Sequence, residues 1–227
     1  MMTRLIALTE PSQADESLLQ DRDYTIIMAK TLPNPMAAPP GFAQRWMTAQ
    51  ASILDLAQKC REFDPDGITL YVATATEEAS EKHCLFQCHE QADNETFESI
   101  LNENQAPQSL YLADGLEAAL NAYFTDKANG TAKINGQIIL ILLDGEPLDR
   151  IAIANLIVKA THQIDSDEEL GIGFIQIGEN PIAQGFFAML DDHLEEAGAK
   201  YDIVHTQILE TIETDSLSTF LLHTILD

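Results

Sequence analysis

The sequence predicts an α/β domain: a doubly wound, mostly parallel six-stranded sheet with one antiparallel edge strand and helices on both faces. Three observations predict it. Gln137–Leu143 (QIILILL) is a near-continuous apolar run, as expected of a strand buried on both faces in the middle of a parallel sheet. Short apolar segments alternate with amphipathic helical ones along most of the chain, the pattern of right-handed βαβ crossovers. His83–His89 alternates by twos, which predicts an antiparallel strand at an edge.

The elements follow in order. Residues 1–20 are polar and read as a tail or peripheral segment; residues 21–227 read as one domain, since no internal repeat or linker divides them. Tyr24–Ala29 is a short apolar strand. Thr31–Gly41 carries Pro33, Pro35, Pro39 and Pro40 and reads as a loop, because proline removes a backbone donor and breaks a helix interior. Gln44–Phe63 has helical spacing, with Trp46, Ala49, Ile53, Leu56, Ala57 and Cys60 on one face; Trp46 reads as core packing rather than a partner anchor. Asp64–Gly67 (DPDG) is a turn, and Ile68–Ala73 is the second strand. Thr96–Asn102, Leu110–Thr125, Leu148–Ile164, Pro181–Ala197 and Ser216–Leu226 are helices. Pro181 opens its helix and Gly198 stands past its end. Gly171–Ile177 and Tyr201–His205 complete the strands.

Composition narrows the function. The chain has 227 residues, 45% of them apolar, enough for a sizeable core. Its 37 acidic and 12 basic residues give a formal net charge of −25. A nucleic-acid partner would need clustered Lys and Arg, and none is present. An anionic membrane surface would repel the chain, and no apolar run approaches the ~18–20 residues of a membrane span. A basic protein partner is compatible with the charge. Three cysteines (Cys60, Cys84 and Cys88) leave one unpaired, which fits a reducing compartment, and the start of the sequence lacks a signal-like pattern, so a cytoplasmic location is expected.

A carboxylate at the carboxyl end of a central strand sits where open α/β sheets bind ligands. Asp144 occupies that place, with Gly145, Glu146 and Pro147 after it. Other constellations are weaker. His83, Cys84, Cys88 and His89 resemble a zinc set, but a strand separates Cys84 from Cys88 by about 13 Å and puts the histidines on the other face. No Gly-x-Ser-x-Gly elbow and no glycine-rich phosphate loop is present. His205, read at a strand end, is the best lone candidate for acid–base work.

Several segments together resemble the von Willebrand factor type A family: RDYTIIMAK (Arg22–Lys30), RWMTAQ (Arg45–Gln50), FDPDGITLY (Phe63–Tyr71), DGEP (Asp144–Pro147), GIGFIQIG (Gly171–Gly178), LDDHL (Leu190–Leu194) and GAKYDIV (Gly198–Val204). They are similar to the bacterial, cytoplasmic members. The resemblance implies a Rossmann-like fold with a metal-ion-dependent adhesion site at the carboxyl edge, built from Asp-x-Ser-x-Ser, a Thr and an Asp. In this chain the first element falls on Met28, Lys30 and Leu32, and the Thr position falls near Leu110, with Ser109 one residue away. Only Asp144 matches. A thioether, an ammonium and aliphatic groups are not ligands for a Mg²⁺-like ion.

The expectation is therefore a non-enzymatic protein–protein interaction module, an adaptor, assembly or regulatory factor, with no metal and no cofactor. Its partner surface is expected at Met28, Lys30, Thr31, Leu32, Ser109, Leu110, Asp144 and Glu146. The resemblance implies an ATPase as one kind of partner. For Lys30 two readings stand: a built-in cation pairing with Asp144, or a solvent-facing ammonium with Asp144 held by backbone amides. Two alternatives are a Mg-type binding module using Asp144, Ser109, Thr31 and waters, and an enzyme with His205 and Asp144 in one cleft.

Overall fold

The computed structural model describes residues 16–31, 45–75, 85–103, 106–178, 180–212 and 216–226. Six strands form one sheet: β1 (Asp23–Ala29), β2 (Ile68–Thr74), β3 (Leu85–Ala92), β4 (Gln137–Leu143), β5 (Leu170–Gln176) and β6 (Val204–Ile208). Their order is β3-β2-β1-β4-β5-β6; β3 runs antiparallel to β2 at one edge and the other pairings are parallel. The connecting helices are α1 (Arg45–Phe63), α2 (Asn94–Glu103), α3 (Ala113–Asn129), α4 (Arg150–Thr161), α5 (Pro181–Asp192) and α6 (Leu217–Leu226). The fold is a Rossmann-like, doubly wound α/β sheet, as the sequence predicts.

The alternation of side chains along each strand divides the core into two layers. Ile26, Met28, Leu140 and Leu142 face α1, α2 and α6. Ile27, Ala29, Ile139, Ile141 and Leu143 face α3, α4 and α5. Every residue of β4 is buried, which is why its sequence is uniformly apolar rather than alternating. Two glycines set the approach of neighbouring segments. Gly136 has φ +82°, and a Cβ there would meet the Glu169 carbonyl oxygen at 1.8 Å. A Cβ on Gly171 would lie 2.4 Å from the Thr224 carbonyl oxygen of α6, so β5 and α6 pack at backbone distance.

α3 is Ala113–Asn129 rather than Leu110–Thr125 and α4 is Arg150–Thr161 rather than Leu148–Ile164, and three further elements differ from the sequence reading. β3 extends to Ala92, beyond His89; a register irregularity between Ile68 and Leu70 and a positive φ at Gln91 let it run on. His83 and Cys84 lie outside the described residues. α5 ends at Asp192, five residues short of Ala197, because the chain leaves the helix through a series of turns before Gly198. β6 is Val204–Ile208 rather than Tyr201–His205. Its polar residues Thr206 and Gln207 concealed it, but an edge strand is buried on one side only and tolerates them. Among the described residues, no helix is long and apolar enough to cross a membrane.

Candidate functional site at the carboxyl edge of the sheet

The doubly wound order reverses between β1 and β4, the place at the carboxyl edge where open α/β sheets bind their ligands. Ala29 and Leu143 are register partners, which brings the residues after each strand side by side. Asp144, the first residue past β4, is 6% exposed. Thr31, just past β1, donates its hydroxyl to Asp144 Oδ1 at 3.1 Å. Trp46, in the first turn of α1, donates its indole N–H to Asp144 Oδ2 at 2.7 Å. Each carboxylate oxygen thus accepts a side-chain hydrogen bond from a different element. Burial pushes the Asp144 carboxyl above the usual range, and the bonds from Trp46 and Thr31 pull it back only in part.

Lys30 does not serve as the cation of this crevice. Its ammonium donates to the Leu101 carbonyl at 3.3 Å, across the α1/α2 layer, and no ion pair joins it to Asp144 among the described residues. Burial lowers its pKa, and the charge of Asp144 opposes that shift. The second reading of the sequence is also incomplete. Backbone amides of Thr31 and Asp144 contribute, but the principal donors are two side chains, one of them the tryptophan assigned to core packing. Trp46 is indeed buried, at 4% exposure, yet it anchors the carboxylate as well.

Thr31 and Asp144 are brought together as the alternative metal reading required. The other expected surface residues scatter. Met28 is fully buried in the layer beneath α1, and Leu110 is 3% exposed beneath α3, so neither can touch a partner directly; an apolar residue at the end of a central strand or ahead of a helix is drawn into the core. Ser109 is exposed. Glu146 is half-buried and pairs with Arg150 at 2.6 Å. Leu32 and most of the proline-rich loop lie outside the described residues. His205 is the second residue of β6 and is level with Gly173 and, through it, Leu140, well below the carboxyl edge. Its ring packs against Phe220 and His223 of α6, so it shares no cleft with Asp144.

Two features escaped the sequence reading. Asp149 accepts the backbone N–H groups of Leu112 (3.0 Å) and Ala113 (2.8 Å), and the Leu148 N–H bonds the Leu110 carbonyl at 3.0 Å. This staple ties the β4–α4 loop to the start of α3, with the carboxylate satisfying orphan donors of that helix. Beside it stand three exposed aliphatic side chains, all following the carboxyl ends of β4 and β5: Leu148 (61%), Ile151 (80%) and Ile182 (70%). The Arg150 guanidinium lies 6.0 Å from the centre of the Phe186 ring and links the α4 and α5 sides of this surface.

The donor set does not fit a metal ion of the type A kind. An indole N–H is a donor only and occupies one oxygen of the one matching carboxylate. At the positions the resemblance implies for the first Asp, the first Ser and the Thr stand a buried thioether at Met28, an ammonium at Lys30 and a buried isobutyl group at Leu110. Among the described residues, no group of three or more His, Cys, Asp or Glu side chains is placed to hold an ion.

The fold and the site define the class: a Rossmann-like α/β domain whose edge crevice is closed by its own side chains. No family model matches the chain, and no curated protein matches it. Among solved structures, the crystal structure of the pilus adhesin SpaC from Lactobacillus rhamnosus GG aligns with 89% of this chain and 30% of that chain, at 9% identity and a TM-score of 0.47. The chain thus spans about a third of that structure's length.

Proposed function

We propose that this chain is a protein–protein interaction module of the von Willebrand factor type A kind that works without a bridging metal. The observation that supports this reading best is the double occupation of Asp144 by Thr31 and Trp46. A working site of that kind leaves its carboxylate free to ligate; here both oxygens already hold α1 and the β1 loop in place. The carboxylate acts as a clamp that fixes the edge loops. The contact surface is then the exposed aliphatic group Leu148, Ile151 and Ile182, presented on loops stiffened by the Asp149 staple. Exposed aliphatic residues rimmed by polar groups are a usual mark of a protein contact. The acidic surface favours a partner with basic groups around an apolar centre. A cytoplasmic adaptor or assembly factor, with an ATPase among its partners, is the role this reading suggests.

Thermal unfolding with EDTA, Mg²⁺, Mn²⁺ and Ca²⁺ tests the metal half of the proposal. A ligand that binds only the native state raises the melting temperature, so the expected result is no shift with any ion. A cation-dependent rise in the wild type that disappears in Asp144→Asn would establish a metal-dependent module instead. Affinity capture tests the other half. A partner retained by the wild type should be lost with Ile151→Asp and Leu148→Asp, and kept with a substitution at an exposed amino-edge position such as Ile134→Asp.

A further inference from the structure

We propose that the outer face of α4 and α5 is where two copies of this chain meet in a symmetric dimer. The contact surface proposed above, with Leu148, Ile151 and Ile182, then takes a second copy, an inference that rests on that reading. Charge sets this face apart. α4 (RIAIANLIVKAT) has no acidic residue, and α5 (PIAQGFFAMLDD) has none before Asp191, in a chain with 37 acidic residues and a net charge of −25. α6 also lacks acids, but it is buried along most of its length, whereas α4 and α5 each turn a full stripe to solvent. On α4 the stripe runs through Ile151, Asn155 and Lys159, one helical turn apart and all exposed. On α5 it runs through Ile182, Gly185, Ala188 and Asp192, also exposed.

The chemistry of the face fits a copy of itself. The partner argued above carries basic groups around an apolar centre, and α4 is such a surface: Arg150 and Lys159 stand near its two ends with an uncharged run between them. Elsewhere two copies of so acidic a chain would set carboxylate against carboxylate, and here they do not. Lys159 and Asp192 supply the complementary pair. Among the described residues, neither side chain makes an ion pair or a hydrogen bond. Asp192 is the last residue of α5, where the helix dipole disfavours an acid, so a cation beside it removes a cost.

The sheet sets the arrangement. Leu143 and Gln176 are register partners, and α4 and α5 each begin a few residues past them, so the two helices lie side by side at similar height over one core layer. A twofold axis running along the helices sets α4 of one copy on α5 of the other with their directions kept. Ile151 then meets Ile182 of the other copy near the amino ends, Asn155 meets Gly185, and Lys159 reaches Asp192 near the carboxyl ends. The symmetry repeats each contact. A Cβ on Gly185 would stand in open space, so α4 can approach the α5 backbone closely there. Helices of 12 residues are about 18 Å long, and packed neighbours lie about 10 Å apart. The footprint is roughly 400 Å² per copy, which suits a weak, reversible contact with a Kd of about 0.1–1 mM.

The test is sedimentation equilibrium of the full chain from about 20 μM to about 1 mM, in about 50 mM and about 500 mM NaCl. A monomer–dimer equilibrium is expected that tightens with salt, because screening weakens the repulsion between two acidic bodies. Gly185→Glu should abolish the dimer. Glu is a better helix former than Gly and its side chain enters open space, so the fold is kept and only the contact is blocked. Lys159→Glu and Asp192→Lys should each weaken the dimer about fivefold alone. An equal mixture of the two should restore it, because the mixed dimer has one native and one reversed pair and the same total charge as two wild-type copies. A monomer at about 1 mM in both salts, a dimer that survives Gly185→Glu, or a mixture no tighter than its components would overturn the proposal. Affinity capture is read separately: a monomeric chain that still loses a different partner with Ile151→Asp rejects the second copy and keeps the contact surface.

Discussion

At the amino ends of the strands, Arg22 is 2% exposed and donates to four backbone carbonyls, those of Leu18, Gln137, Glu168 and Glu169. At the carboxyl ends, Asp144 is as deeply set but is held by two side chains, Thr31 and Trp46. The difference shows what each end is for. The cation at the amino end joins segments distant in sequence through groups that every residue carries, so it is mortar for the fold. Around it, Lys127 pairs with Glu169 and Asp165, and the Tyr123 hydroxyl donates to Glu169. The anion at the carboxyl end depends on two particular side chains, and three aliphatic residues past the carboxyl ends of β4 and β5, Leu148, Ile151 and Ile182, face solvent. One end is self-complementary. The other is self-complementary at its floor and unsatisfied at its rim.

The largest effect is expected at the amino end. Burial lowers the Arg22 pKa only to about 10, so the guanidinium stays charged at neutral pH. Arg22→Met keeps most of the stem but leaves four carbonyls without their donor. A loss of about 2–4 kcal/mol is expected from urea unfolding, well above a typical surface substitution. A loss below about 0.5 kcal/mol would show that water replaces the guanidinium freely and that the amino end is not sealed.

The doubly wound sheet and its edge strand were legible because hydrophobic period reports burial directly: seven apolar positions in β4 mean a strand covered on both faces, and the structure covers all seven. β6 was misplaced for the same reason in reverse, since its Thr206 and Gln207 are half-buried at an edge and carry no apolar signal. Asp144 was legible as a site residue because a carboxylate abruptly ends an apolar strand. Its partners were not. Trp46 lies 98 positions away in sequence, and helical spacing places it on an apolar face without saying that its N–H points at a carboxylate. Lys30 follows neither of its two readings, pairing with Asp144 or facing solvent, because neither considered a backbone acceptor. The Leu101 carbonyl, offered near the end of α2, takes the ammonium.

A smaller loss is expected at the carboxyl end, and it separates size from charge. Asp144→Ala removes the acceptor for both the Trp46 N–H and the Thr31 hydroxyl and should cost about 1–3 kcal/mol. Asp144→Asn should cost less than about 1 kcal/mol. Its Oδ1 can accept from Trp46, and the Thr31 hydroxyl can turn to accept from Nδ2. Tryptophan fluorescence reads the same pair, since the single tryptophan of the chain loses its anionic neighbour in both variants. If Asn destabilised as much as Ala, the negative charge itself would be required, and a cation near Asp144 would have to be sought.

The smallest effect has opposite signs at the two ends. The Asp144 carboxyl is raised by burial, so the native state holds its proton more tightly than the unfolded chain does. Its contribution to stability is greatest below the ordinary aspartate value of about 3.9 and is lost as pH rises through the folded value. Glu169 behaves in reverse. Burial acts upward on it, but the Lys127 ammonium, the Asp165 amide and the Tyr123 hydroxyl outweigh burial and lower its pKa. Its contribution is full above the ordinary glutamate value of about 4.3 and is lost as pH falls through the folded value. Urea midpoints between pH 3 and 7 should show this as differences from the wild type. Asp144→Asn should gain relative stability as pH rises, and Glu169→Gln should lose less than the wild type as pH falls. The Glu169 effect should stay under about 1 kcal/mol, because Lys127 is partly solvated and its second partner, Asp165, is 91% exposed. Parallel slopes in the two variants would mean that one of these carboxylates is not held as described, and the wild-type tryptophan signal across the same pH range would identify whether it is Asp144.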